Sequence, residues 1–259
     1  MPCKTLNGHL GIPSRVDSSG LLAAVWFTQD QVIAYDGDGS PAGRQTKANW
    51  GFGNLANDAR RKNILFHVAK VSKFMPGAAF SLDIEKPWWI NHGVSMPDAD
   101  AIYAERLLIA KKFRNNQPKN NVRPVGMYGG LGGLDSSEQF GDAWKTKQRT
   151  YIELHDAVMA GNVDHVEPVF YFDATDDKAT FVHAAWMLAE LQDSWQSDQI
   201  VPWIWWRRPD GSPVPISNWQ EMLALTSHLR WRWLFGHDLG RQPWEAADQE
   251  RLDMLLAAG

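Results

Sequence analysis

A single cysteine, Cys3, leaves the chain without any internal disulfide, so a disulfide-stapled scaffold is excluded. No apolar run approaches the roughly 18 residues of a membrane-spanning helix. The stretch Leu21 to Phe27 is apolar but too short to read as a secretory leader. Charge of one sign is scarce as well: a net charge of -4 over 259 residues offers no basic footprint for nucleic acid or an anionic membrane. The expectation is a cytoplasmic protein with neither nucleic acid nor membrane as partner, export by another route being left open. The eight histidines show no H-E-x-x-H or paired zinc spacing, and no G-x-S-x-G elbow occurs. No metal or other cofactor is expected.

Two glycine-rich stretches fail as ligand loops. Gly129, Gly130, Gly132 and Gly133 lack G-x-G-x-x-G spacing, because position 135 is Asp135, and no Gly-Lys-Ser/Thr follows. They read as a low loop over which a polymer can lie, or as a plain flexible loop. Asp36-Gly37-Asp38-Gly39-Ser40 opens like a calcium loop, but no glycine stands at its sixth position and no glutamate at its twelfth. It reads as a turn.

Tryptophan is in surplus, fourteen against five tyrosines. Most of these indoles read as packing, yet the excess also suits a cleft that grips flat, partly apolar rings such as sugars. With 44% hydrophobic and 22% charged residues, the composition is that of a globular chain able to bury a full core.

Alternation of apolar runs and helical periods sets the architecture. Strands are expected at Ala78 to Glu85, Val122 to Tyr128, Val166 to Phe172, Ile200 to Trp206 and Trp231 to Phe235. Helices are expected at Asn54 to Val71, Pro97 to Phe113, Gln139 to Met159, Lys178 to Ser194, Trp219 to Leu229 (capped by Ser217) and Trp244 to Leu256. Further strands are open at Leu21–Phe27 and Gln31–Tyr35. His155 and His183 fall on helical faces and read as packing or surface residues. This is the pattern of an α/β fold with parallel strands. The polar and aromatic residues gather at the carboxyl ends of the strands: Asp83 and Glu85, Tyr128, Tyr171 and Asp173, Trp205 and Trp206 with Arg207, then His237 and Asp238. A barrel brings such ends to one mouth, whereas an open sheet spreads them along an edge. We therefore expect a (β/α) TIM-type barrel of seven or eight parallel strands, a single domain over residues 1–259 whose N-terminal part, residues 1–53, is irregular.

Ser81-Leu82-Asp83-Ile84-Glu85-Lys86-Pro87-Trp88-Trp89 carries the chemistry. Alternate strand residues share a face, so Asp83 and Glu85 would stand about 7 Å apart on one side. Crowded carboxyls raise the pKa of one of the pair, which suits a general acid. Trp88 and Trp89 follow at once, and Trp205 and Arg207 share parity with Trp203. These four are the candidate substrate-binding residues. An ordinary strand end with a salt-bridged Glu85 is the plain alternative.

In the order of its strand ends the chain resembles the hyaluronidase family of glycoside hydrolases. The likeness lies in Asp83-Ile84-Glu85, Val125-Gly126-Met127-Tyr128-Gly129, Pro168-Val169-Phe170-Tyr171, Pro202-Trp203-Ile204-Trp205-Trp206-Arg207 and Trp233-Leu234-Phe235-Gly236. It covers residues 78 to 237 and departs from the family in Ile84 between the acids and in the missing disulfides. The D-x-E strand end is also similar to that of muramidase-type lysozymes. The resemblance implies a glycosidase acting on a carbohydrate polymer that contains N-acetylhexosamine, with Glu85 as general acid/base. Asp83 would position it or orient an N-acetyl group. Asp173 is the candidate nucleophile, and Tyr128 and Tyr171 would serve a substrate-assisted mechanism instead. A non-catalytic carbohydrate-binding or structural barrel is the other reading.

Stacking on a sugar face should contribute about 0.5–1.5 kcal/mol, as an aromatic pair does. Trp88→Ala is therefore expected to weaken oligosaccharide binding by about 2- to 10-fold in a fluorescence titration. Unchanged affinity with lost stability would make Trp88 a core residue.

Overall fold

The computed structural model describes residues 3–7, 20, 22–23, 25–28, 79–83, 110–119, 121–128, 131, 141–159, 162–172, 177–208, 210–234 and 243–259. Besides the end of a helix over 110–115, nine short strands and four helices have both bounds defined among them: β1 Lys4–Asn7, β2 Leu22–Ala23, β3 Val25–Thr28, β4 Phe80–Asp83, β5 Val125–Tyr128, α1 Asp142–Met159, β6 His165–Glu167, β7 Val169–Phe170, α2 Asp177–Gln192, β8 Trp203–Ile204, α3 Ile216–Leu225, β9 Trp231–Leu234 and α4 Ala246–Ala257. None of these helices is long and apolar enough to cross a membrane.

All strand pairings are parallel, and they form two sheets, in the orders β2-β1-β9-β8-β7 and β3-β4-β5-β6. The sheets share chain segments. Only Ala24 separates β2 from β3, and only Pro168 separates β6 from β7. Proline has no amide hydrogen to give a ladder, which breaks the expected single strand from Val166 to Phe172 in two. The Pro168 carbonyl still accepts the Trp203 amide at 2.8 Å, and Pro202 likewise accepts from Trp233 at 2.8 Å. The parallel α/β expectation stands in the form of two linked sheets.

β1 corrects the reading of residues 1–53 as irregular. It lies inside the first sheet, between β2 and β9. Lys4-Thr5-Leu6-Asn7 has one apolar residue, so no apolar run announces it; its place comes from the pairing of Leu6 with Trp233 and of Thr5 with Arg232. The expected helix 54–71 and the strand 31–35 lie outside the described residues. α3 begins earlier than expected, with Pro215 rather than Ser217 at its N-cap. The Ser217 hydroxyl faces the Asn218 side chain instead.

Helices cover the sheets through aromatic contacts. Trp144 of α1 meets His183 and Trp186 of α2 edge-on, and Phe170 of β7 meets His183 in the same way. Burial pushes His183 down to about 3, so it is neutral packing, as its helical position implies. Arg232 is fully buried on β9. Its guanidinium donates to Thr5 Oγ1 at 3.0 Å, to Thr226 Oγ1 at 3.4 Å and to the Leu255 carbonyl at 3.4 Å. Thr226 is the C-cap of α3, and Leu255 lies in the last turn of α4. Two negative helix ends thus offset a buried cation.

Asp248 anchors the start of α4. It closes a capping box with Glu245, whose amide donates to Asp248 Oδ2 at 2.9 Å. Its Oδ1 accepts Trp206 Nε1 and Arg207 Nε, each at 2.8 Å. Burial alone would raise this carboxyl, but bonds from Arg207, the Glu245 amide and Trp206 outweigh it and hold the pKa below the ordinary 3.8. A depressed folded-state pKa contributes stability above the unfolded value and loses it as pH falls. The melting temperature should therefore drop on acidification below about pH 4. Asp248→Asn should cost about 3–5 kcal/mol at neutral pH, because it removes the nearest counter-ion of buried Arg207 and leaves the more exposed Glu245 at 3.7 Å, and should flatten that acid limb. Thermal denaturation from pH 7 to pH 3 checks both; an unchanged melting temperature in Asp248→Asn would refute the role given to the pair.

Candidate functional site

The register of three neighbouring strands builds two rows. Asp83 of β4 is the Cα partner of Tyr128 of β5, and Tyr128 that of Glu167 of β6. One pleat below, Ser81, Gly126 and His165 are partners in the same way. Partners in parallel strands share a face, so the side chains of Tyr128 and Glu167 emerge on the side that carries Ser81 and His165. For Asp83 the backbone alone is described.

The Glu167 carboxyl has no solvent exposure. Its Oε1 lies 2.7 Å from His165 Nε2. Its Oε2 accepts the Ser81 hydroxyl and, at 2.8 Å, the Trp203 indole N–H. Three donors from β4, β6 and β8 thereby replace water around one carboxylate. Gly126 makes the space. A Cβ there would stand 2.1 Å from Glu167 Oε1 and 2.2 Å from His165 Nε2, inside any tolerable contact.

Trp203 carries the arrangement to the strand exits. It stacks on Trp233 with centroids 4.8 Å apart and meets Tyr128 edge-on at 5.1 Å. The Tyr171 hydroxyl, just beyond β7, donates to the Tyr128 hydroxyl at 3.2 Å. Tyr128 is buried and Tyr171 half-buried. Two phenols, which both donate and accept, therefore meet where the Asp83 strand also ends.

Of the residues singled out from sequence, Tyr128 and Tyr171 come together and Asp83 falls into register with Tyr128. Glu85, Trp88, Trp89 and Asp173 lie outside the described residues. Arg207 and Trp205 require correction. Arg207 is buried against Asp248 and donates to the Gly211 carbonyl at 2.7 Å, so its fork is committed to the α4 side rather than to a substrate. Trp205 is 6% exposed and stacks on Trp206 at 5.2 Å. Strand alternation does not extend to Arg207, because β8 ends at Ile204 and the chain bends at Trp206. Trp206 packs outward, edge-on to Trp219 and Trp244.

Glu167 was missed. Its signal in the sequence is a lone acid in the apolar run Val166 to Phe172, in phase with Tyr171.

The fold and site define an α/β protein whose parallel strands end in paired polar and aromatic residues. No family model matches the sequence, and no curated protein matches it. Among solved structures, the chain is similar to bee venom hyaluronidase in complex with a hyaluronic acid tetramer, at a TM-score of 0.57 and 11% identity over 99% of this chain and 98% of that one. At that identity the likeness is one of fold. It accords at that level with the resemblance carried by the strand ends.

Gly126→Ala is expected to lower the melting temperature, at a cost of about 1–3 kcal/mol, because methyl and carboxylate cannot share the space. Equal stability of variant and parent in thermal denaturation would show that the Glu167 network relaxes freely.

Proposed function

We propose that the chain is a glycoside hydrolase cleaving a polysaccharide that contains N-acetylhexosamine, with Glu85 as general acid/base. The observation that carries this reading is the Tyr128–Tyr171 hydroxyl pair at 3.2 Å, set in register with Asp83 at neighbouring strand exits. The fold of bee venom hyaluronidase, whose structure holds a hyaluronic acid tetramer, supports it. With β2/β3 and β6/β7 each taken as one bent strand, the pairings pass around seven strands and return from β9 to β1, which we read as a (β/α) barrel. The strand exits then face one mouth.

Glu85, two residues beyond Asp83, would protonate the glycosidic oxygen. Asp83 would raise its pKa by like-charge repulsion or orient the substrate's N-acetyl group. Glu167 is not the nucleophile, since its two oxygens are taken by three donors and it has no exposure. Assistance by the N-acetyl group, with Tyr128 and Tyr171 hydrogen-bonding around it, is the reading that the hydroxyl pair supports. Asp173 is the alternative nucleophile. It would have to stand roughly 5–5.5 Å from Glu85 for retention, or roughly 6.5–9.5 Å for inversion.

Release of reducing ends from a panel of polysaccharides, including peptidoglycan and glycosaminoglycans, tests the activity. Glu85→Gln should lose about 10²–10⁴-fold in rate with the fold retained. Asp173→Asn should retain activity if the N-acetyl group assists. A well-folded Glu85→Gln protein as active as the parent would sink the assignment. Binding of a polysaccharide without cleavage would leave the non-catalytic carbohydrate-binding reading.

A further inference from the structure

The carboxylate of Glu167 is an expensive object to keep where it is. It is fully buried, and among the described residues no lysine or arginine pairs with it; its partners there are His165, Ser81 and Trp203. An apolar side chain of similar volume would fill such a place at lower cost to stability. What the carboxylate adds is geometry. Ser81 lies two residues before Asp83 and four before Glu85 on the same run of chain, so the bond to Ser81 pins the β4 strand close to its exit. The bond from Trp203 fixes the indole whose edge abuts Tyr128, and the Tyr128 hydroxyl receives that of Tyr171. Tyr171 itself is four residues beyond Glu167. One side chain thus reaches, through a single partner each, both the strand that ends in Asp83 and the ring beneath the hydroxyl pair. Gly126 in the intervening strand clears the path.

We infer that Glu167 is a positioning residue: through Ser81 and Trp203 it holds the exit of β4 and the Tyr128–Tyr171 pair in one fixed arrangement. This rests on the hydrolase reading above and assigns that site its support. Glu167 touches no substrate. Its effect falls on the chemical step, because reacting groups displaced by about 1 Å lose about 10²-fold in rate while remote binding contacts survive. An amide at this position turns one acceptor into a donor, which then faces the donors of Ser81 and Trp203 or that of His165.

The test compares steady-state kinetics of the parent, Glu167→Gln, Ser81→Ala and Glu85→Gln on the polysaccharide that the panel identifies, at a temperature well below each melting point. Glu167→Gln is expected to lower kcat by about 10- to 100-fold with KM within about twofold of the parent. Ser81→Ala, which removes one hydroxyl from the network, should move kcat in the same direction by a smaller factor. It carries the test alone if Glu167→Gln does not fold. A lowered melting temperature with parental kcat, or a change in KM alone, would make the network a mere core element and overturn the inference while leaving the hydrolase reading intact. A parent that cleaves nothing, or a Glu85→Gln variant at parental rate, would instead overturn the hydrolase reading, and the role of Glu167 with it.

Discussion

The carboxylate of Glu167 is the constraint around which the interior is organised. A polar group so deep must recover in hydrogen bonds what it loses in hydration. It does so from donors on three strands, and those strands are then no longer free to slide. Ser81 belongs to one sheet and Trp203 to the other, so the same group ties the two sheets across the interior as well as along their shared chain segments. The absence of a side chain at Gly126 belongs to the same constraint, as does the stack of Trp203 on Trp233.

Elsewhere in the fold, buried charge is handled in two other ways. Arg207 and Asp248 neutralise one another and fix the start of α4. Arg232 has no carboxylate among its hydrogen-bond partners in the described residues and lies instead between the carbonyl ends of α3 and α4. All three solutions lie in the part of the chain that holds most of its tryptophans. Four of the largest fully buried side chains are Trp203, Trp206, Trp219 and Trp233. For these four the surplus of tryptophan is explained by packing, with their indole bodies filling the layers.

How far the sequence could be read depended on whether a signal was local. The runs that became β5, β6/β7, β8 and β9 are apolar and end in turn residues, and the helix from Asp142 to Met159 falls within the periodicity expected for 139–159. β1 was illegible because a four-residue strand with one apolar side chain owes its existence to a partner more than two hundred positions away. The strand-end positions of Tyr128 and Tyr171 could be read, since both end apolar runs, whereas the bond between their hydroxyls could not. The fate of Arg207 could not, because its partner sits on α4 and the strand that set its expected parity ends three residues earlier. Glu167 shows the general difficulty: a buried charge resembles a surface charge until its donors are known, and these come from 86, 2 and 36 residues away.

The pairing of β1 with β9 also bears on how the molecule is made. Arg232 bonds Thr5 across 227 positions, so this junction brings together segments from opposite ends of the chain. During synthesis β2 can pair one edge of β1 early, but the edge that faces β9 waits, its ladder groups unmet, until the ribosome has delivered residue 234. Contacts of such long sequence separation close slowly, and a waiting strand edge is a template for unwanted association. Lys4 at the head of that edge, a residue with low β-sheet preference and a charge, is the kind of residue that keeps a waiting edge solvated until its partner arrives.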